Sequence, residues 1–324
     1  VALFCMGCHS TLFGPIKYSI MPQHLRGDEI MGGTGLIEAG TFLAILGGQL
    51  LAGVVAPWEA GLIATALAVV GFGAAMMVPP APPIARDVRV RINPVASTWD
   101  VLKVARSGRG VWLSIVGISW FFAVGAVLVS EFLPLVSGVL GGREPVVTLF
   151  LIVFSVSVAL GSMAVNRLLA GAVSARTVPL SGLAMGGFMI DLWWATGHFT
   201  VTAPRAGIAA FVASAGSGRI LFDLTGMAFA GGMFIVPLYA ILQTATPPEQ
   251  RSRVIAANNI VNAVVMVVVV VVATILLSQG ISIPGVIGAM GVATLAVSVG
   301  LGRLAPGGVF GALRRSGRAE PRGD

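Results

Sequence analysis

Apolar residues run through this chain in blocks too long for an ordinary soluble helix, and the polar residues collect in the gaps between them. A bilayer core of about 30 Å takes about 20 helical residues. Nine apolar runs of that scale lie between charged or Pro/Gly breaks: residues 1–21, 36–56, 60–79, 111–137, 146–170, 178–197, 219–243, 254–278 and 283–304. Each predicts a transmembrane helix, because in lipid a single segment satisfies its backbone N–H and C=O groups only by coiling on itself. The stretch 206–215 is apolar but too short to cross, and predicts an interfacial or re-entrant piece of a loop.

Composition supports that pattern. Of 324 residues, 56% are apolar and 10% charged, with a mean hydropathy of +0.94; soluble domains carry about 25% charged residues. The 43 glycines suit helices that approach closely in lipid. The fold class expected is therefore an all-α polytopic membrane protein with nine transmembrane helices.

A net charge of +7 points to membrane topology and not to nucleic acid. Lys and Arg collect in cytoplasmic loops. Alternate gaps here hold Arg26, then the group from Arg86 to Arg109, then Arg167 and Arg176, then Arg251 and Arg253, and finally Arg303 with the tail arginines. The opposite gaps hold only Arg143, Arg205 and Arg219. This orients the C-terminus to the cytoplasm and residue 1 to the outside. An odd number of spans and a first residue other than Met predict a chain that begins partway through a longer protein. Four regions follow: 1–79 with three spans, a central cytoplasmic linker 80–110, a six-span block 111–304, and a basic cytoplasmic tail 305–324. In the linker, Ser97-Thr98-Trp99-Asp100 predicts the cap of a short helix carrying Trp99, Leu102 and Ala105 on one face. A solvated linker with a single helical turn is the other reading. A long central loop before six spans is the layout of a two-half secondary transporter.

Specific strings narrow the class further. His9-Ser10-Thr11-Leu12-Phe13-Gly14-Pro15-Ile16-Lys17-Tyr18-Ser19-Ile20-Met21-Pro22 is followed by Gly35-Leu36-Ile37-Glu38-Ala39-Gly40-Thr41-Phe42. Later come Phe234-Ile235-Val236-Pro237-Leu238-Tyr239-Ala240-Ile241-Leu242-Gln243 and Arg251-Ser252-Arg253-Val254-Ile255-Ala256-Ala257-Asn258-Asn259-Ile260-Val261-Asn262. Over nearly its whole length the chain resembles the lysophospholipid transporter family of the major facilitator superfamily, and the transporter portion of its fusions with an acyltransferase and an acyl-ACP synthetase. The resemblance implies spans four to twelve of twelve, an inner-membrane location, lysophospholipid and membrane lipids as partners, and a cytoplasmic acyltransferase or acyl-ACP synthetase downstream. The implied activity is the movement of lysophosphatidylethanolamine-like lipid to the cytoplasmic leaflet by alternating access. A generic exporter of amphipathic compounds, or a transport-inactive scaffold for an acyltransferase, remains open beside it. His24 and Asp28 lie one residue too close for the acyltransferase His/Asp signature.

Few ionisable groups fall inside the spans, where they are costly and mark cavities or interfaces. Lys17 either snorkels to the headgroups or holds a lipid phosphate as a point charge. Glu38 starts the next span on the same membrane side, so a Lys17–Glu38 pair is expected, as a latch or a gate. Asn258 and Asn262 share a helix face and suit either lipid oxygens or helix-to-helix bonding. Gln49, Tyr239 and Gln243 are uncharged candidates for a cavity wall, with the same alternative. Glu131, Asp191 and Asp223 fall near the outer ends of their spans, Asp191 beside an aromatic belt of Trp193 and Trp194. Any of the three suits a coupling ion or mere hydration.

Cys5-Met6-Gly7-Cys8-His9 matches the pattern of covalent haem attachment, but it lies in a run that must be helical in lipid and offers no second axial ligand. Neither a Walker A loop nor a dinucleotide fingerprint occurs. The expectation is a secondary transporter with no cofactor, no metal and no catalytic residue.

Overall fold

A computed structural model describes residues 2–82, 93–201 and 206–304. The six linker and tail arginines at 86, 89, 91, 314, 315 and 318, together with Arg205 and Arg322, lie outside them, as does the whole of the tail 305–324. In chain order the helices are α1 (Ala2–Ser19), α2 (Met21–His24), α3 (Ile30–Ala52), α4 (Pro57–Met76), α5 (Pro94–Ser107) and α6 (Arg109–Pro134). They continue with α7 (Glu144–Leu168), α8 (Val178–Gly197), α9 (Ile208–Ala213), α10 (Ser217–Thr244), α11 (Arg251–Ser278) and α12 (Ile283–Leu301). Among the described residues there is no β-strand; a single bridge joins Gly142 and Ala206. The protein is an all-α polytopic membrane protein.

Each of the nine apolar runs carries one long helix. Seven of these are long and apolar enough to cross a bilayer, α1 and α8 being the less apolar two. Two boundaries moved for physical reasons. The second run was expected to begin at 36, yet α3 begins at Ile30, because Met31, Thr34 and Gly35 are buried against other helices. Packing, not hydropathy, makes that turn helical. Likewise α11 starts at Arg251, whose buried guanidinium donates through Nε to the Gln243 carbonyl at 2.6 Å and so caps the end of α10. The stretch 206–215 folds as α9, with Phe211 buried against Phe150 at a ring distance of 5.9 Å.

The linker helix also differs from expectation. Asn93 caps α5, its side chain accepting from the backbone N–H of Val95 at 3.0 Å and of Ala96 at 3.2 Å. Trp99 faces outward while Ala105 is fully buried where α5 meets α6 and α11. Asn93 outcompetes Ser97 as a cap because Pro94 at the first helical position fixes the start there.

Within the block from α6 to α12, α10 packs on α6, α7 and α8, while α8 pairs with α12 and α6 with α11. Glycine makes this possible. A methyl group at Gly161 of α7 would run into the Phe229 carbonyl of α10, and one at Gly232 of α10 into the Val158 carbonyl of α7. Backbones touching in this way gain dispersion that lipid cannot match. Onto this block α3 docks against α7 through Gly35, which meets the Ser162 carbonyl, and α1 docks against α11. No residue of α4 is buried.

The loops separate into two ends. At one, Gly171 (φ +77°) abuts the Asp28 carbonyl, joining the α7–α8 and α2–α3 connections. At the other, Arg143 N–H donates to the Ala206 carbonyl and Ala206 N–H to the Gly141 carbonyl, each at 3.0 Å.

Candidate functional site

The string from His9 to Pro22 places Pro15, Lys17 and Tyr18 in one turn of α1, and the helix brings that turn beside α3, α10 and α11. Between these helices and α6 lies a cavity of about 510 Å³ whose wall includes Ser10, Lys17, Tyr239, Asn259 and Asn262. The volume falls in the usual range for small-ligand sites, about 300–1,000 Å³. Of the described residues on this wall, Lys17 alone carries a charge.

Lys17 is half-buried and its Nζ donates to Thr41 Oγ1 at 3.3 Å. It also stands 4.8 Å from the centroid of the neighbouring Tyr18 ring. Thr41 Oγ1 donates in turn to the Ile37 carbonyl at 2.7 Å, which orients its lone pair towards the ammonium. One of the three ammonium donors is thus used. Among the described residues no carboxylate comes within ion-pairing distance of Lys17.

The expected Lys17–Glu38 pair is replaced by a different contact. Tyr18 hydroxyl donates to Glu38 Oε1, and Glu38 is fully buried. Successive residues of an α-helix point about 100° apart, so when Tyr18 turns inward to Glu38, Lys17 turns to the cavity. The Tyr18 ring stacks on Tyr239 with centroids 4.3 Å apart and planes at 10°. One turn along α10, Gln243 Nε2 donates to Thr34 Oγ1 at 3.0 Å. A continuous polar seam therefore joins α1 and α3 to α10.

The asparagines divide. Asn262 reaches the cavity wall and its Oδ1 accepts from Ser119 Oγ of α6 at 2.6 Å. Asn258 is fully buried, and neither atom of its carboxamide has a hydrogen-bond partner among the described protein groups. Glu38 Oε2 and Gln243 Oε1 are likewise buried without partners. Asn259 packs its amide against Gly14, where α1 and α11 cross. Gln49 is not brought here. It lies on α3 eleven residues beyond Glu38, roughly 16 Å along the axis. Reading the sequence by charge missed Tyr18, Thr34, Thr41 and Ser119; the available signal for Tyr18 was its place beside Lys17 in the same string.

Cys5 and Cys8 are exposed free thiols on α1. Among the described residues no group of His, Cys, Asp and Glu is arranged to hold a metal ion.

No family model matches the chain. Curated proteins do. The lysophospholipid transporter LplT of Citrobacter koseri is 26% identical over 314 residues, covering 92% of this chain and 69% of the relative. The chain is thus similar to lysophospholipid transporters over most of its length. The protein of the same name from Klebsiella pneumoniae is 27% identical over 318 residues, covering 95% and 69%, and that from Escherichia fergusonii 26% over 314 residues. These relatives are named as transporters.

Proposed function

We propose that this protein is a secondary transporter of the major facilitator type that moves lysophosphatidylethanolamine-like lipid to the cytoplasmic leaflet. The observation that carries the reading is a single ammonium, Lys17, on the wall of an otherwise uncharged cavity between two groups of helices. A lysolipid headgroup brings one phosphate of opposite charge, and the free donors of Lys17 suit it as a point contact. Asn262 and Ser10 offer neutral groups for the glycerol oxygens. Glu38, tied to Tyr18, does not compete with the phosphate for Lys17.

The proposed movement is a rocking of α1, α3 and α4 against the block from α6 to α12. The contacts between the two groups include ones that could exchange: Tyr18 stacked on Tyr239, Gln243 bonded to Thr34, and the glycine contacts at Gly14 and Gly35. A cytoplasmic acyltransferase that reacylates the delivered lipid is the partner this reading implies. The location implied is the inner membrane, with the C-terminus in the cytoplasm.

Uptake of radiolabelled lysophosphatidylethanolamine by proteoliposomes containing the full chain tests the proposal. Uptake is expected from the wild type, and Lys17→Ala should weaken lysolipid affinity about 10- to 100-fold, the effect of losing a charged hydrogen bond worth about 1.5–3 kcal/mol. Absence of uptake above protein-free vesicles overturns lysolipid transport. Uptake that Lys17→Ala leaves unchanged removes Lys17 from the site.

A further inference from the structure

Asp223 lies on α10, twenty residues and roughly 30 Å along the helix from Gln243. It is 1% exposed, and neither of its carboxylate oxygens has a hydrogen-bond donor among the described protein groups. One turn nearer the start of α10, Arg219 grips Asp191 of α8 with two bonds, Nε to Oδ2 at 3.0 Å and Nη2 to Oδ1. The same guanidinium sits 4.3 Å from the centroid of the Trp194 ring. The side chains of Arg219 and Asp191 are 45% and 40% exposed, so this pair meets water.

The charged groups acting on Asp223 are Asp191 from α8 and Arg219 from its own helix. Glu131 on α6 and Glu144 on α7 do not act on it, and His198 reaches the cluster only by stacking on Trp194. An ionised carboxylate shut away with no donor is strongly penalised, whereas a carboxylic acid is not. Arg219 and Asp223 are spaced i, i+4, so the guanidinium can reach either carboxyl. Asp191 holds it here through a two-pronged contact with aromatic stacking.

We propose that Asp223 is a proton-binding site, loaded from the water that meets Asp191 and Arg219, and that Arg219 is exchanged between the two carboxyls as the proton comes and goes. On release, the O–H bond of Asp223 breaks, the proton passes to water, and the carboxylate left behind draws Arg219 away from Asp191. On loading, Asp223 becomes neutral and Arg219 returns. A metal cation fits poorly. A guanidinium stands one turn away, and Ile220, Leu224 and Met227 around Asp223 on α10 are buried apolar side chains with no oxygen ligand to give. The proposal is independent of what the cavity near Lys17 carries.

The test is infrared absorption of the full chain in phosphatidylcholine vesicles, in sodium-free buffer, across a pH series. A protonated-carboxyl band is expected that fades as pH rises and is missing from Asp223→Asn, whose amide keeps the shape of the neutral acid. Asp191→Asn retains Asp223 but frees Arg219 to pair with it, so the band should be lost at neutral pH in that variant too. A band unchanged in Asp191→Asn, or the same in Asp223→Asn as in the wild type, overturns the proposal. So does a band abolished by added sodium at constant pH, which would make Asp223 a metal-cation site.

Discussion

Glycine is spread through both the three-helix region of α1, α3 and α4 and the block from α6 to α12, yet it does different work in each. In the larger block Gly161, Gly182, Gly186, Gly232, Gly288 and Gly291 each lie against a neighbouring helix so closely that a Cβ would collide. In α3 and α4, Gly40, Gly47, Gly48, Gly61, Gly71 and Gly73 have open space around them. These glycines are packing contacts in one region and bare stretches of helix in the other, although Gly125, Gly187 and Gly300 of the larger block also have open space around them. Close backbone approach builds the rigid block, and Gly35 is where the smaller region borrows that device to dock on it.

The comparison breaks first, and hardest, at Gly232. Gly232→Leu pushes a side chain into the backbone of α7 and should destabilise the protein by about 3 kcal/mol or more, whereas Gly71→Leu in α4 should leave stability unchanged or raise it by up to about 1 kcal/mol through helix propensity. Denaturation of the detergent-solubilised variants reads both, and equal losses would erase the distinction between the regions. Next in size is the joint between them. Gly35→Leu should cost about 1–3 kcal/mol and raise hydrogen exchange in α3 while leaving α8 and α12 protected; Gly40→Leu on the same helix should do neither. Exchange that rises uniformly would mean the two regions unfold as one. The smallest effect is expected from Thr34→Val, which removes the acceptor of the Gln243 amide and should lower stability by about 1 kcal/mol. No change in that variant would show that the seam contributes orientation without net stability.

How much of this was legible in the sequence depends on which force shaped each element. Lipid imposes helix on any long apolar run, so all nine long helices were readable from hydropathy. The first turn of α3 was not, because Thr34 and Gly35 are helical through contact with α7 and α10, and a stretch such as Met31-Gly32-Gly33-Thr34-Gly35 carries no such mark. The cap of α5 was misplaced too: the Ser97 string suggests the cap, whereas Asn93 caps the helix and Pro94 follows it at the first helical position. In the candidate site, side-chain chemistry drew attention to Lys17, Tyr239 and Asn262, which the fold gathers around one cavity. It failed for the partner of Glu38. Opposite charge favoured Lys17, but the contact belongs to Tyr18, while Lys17 bonds to Thr41 on the same helix as Glu38.

Asn258 carries a consequence for the populations the protein visits. Among the described protein groups its buried carboxamide makes no hydrogen bond of normal geometry, though the Tyr239 hydroxyl is a polar neighbour, and an unsatisfied buried polar group costs about 1–3 kcal/mol. The arrangement described therefore stands above any in which a small shift of α1 or α3 supplies a donor and an acceptor. A gap of this size is enough to change the ratio of two conformers by about 5- to 150-fold. A ligand that reached Asn258 in one conformer and not in the other would tilt the ratio by the difference in its affinity for the two. The equilibrium would be poised by one amide.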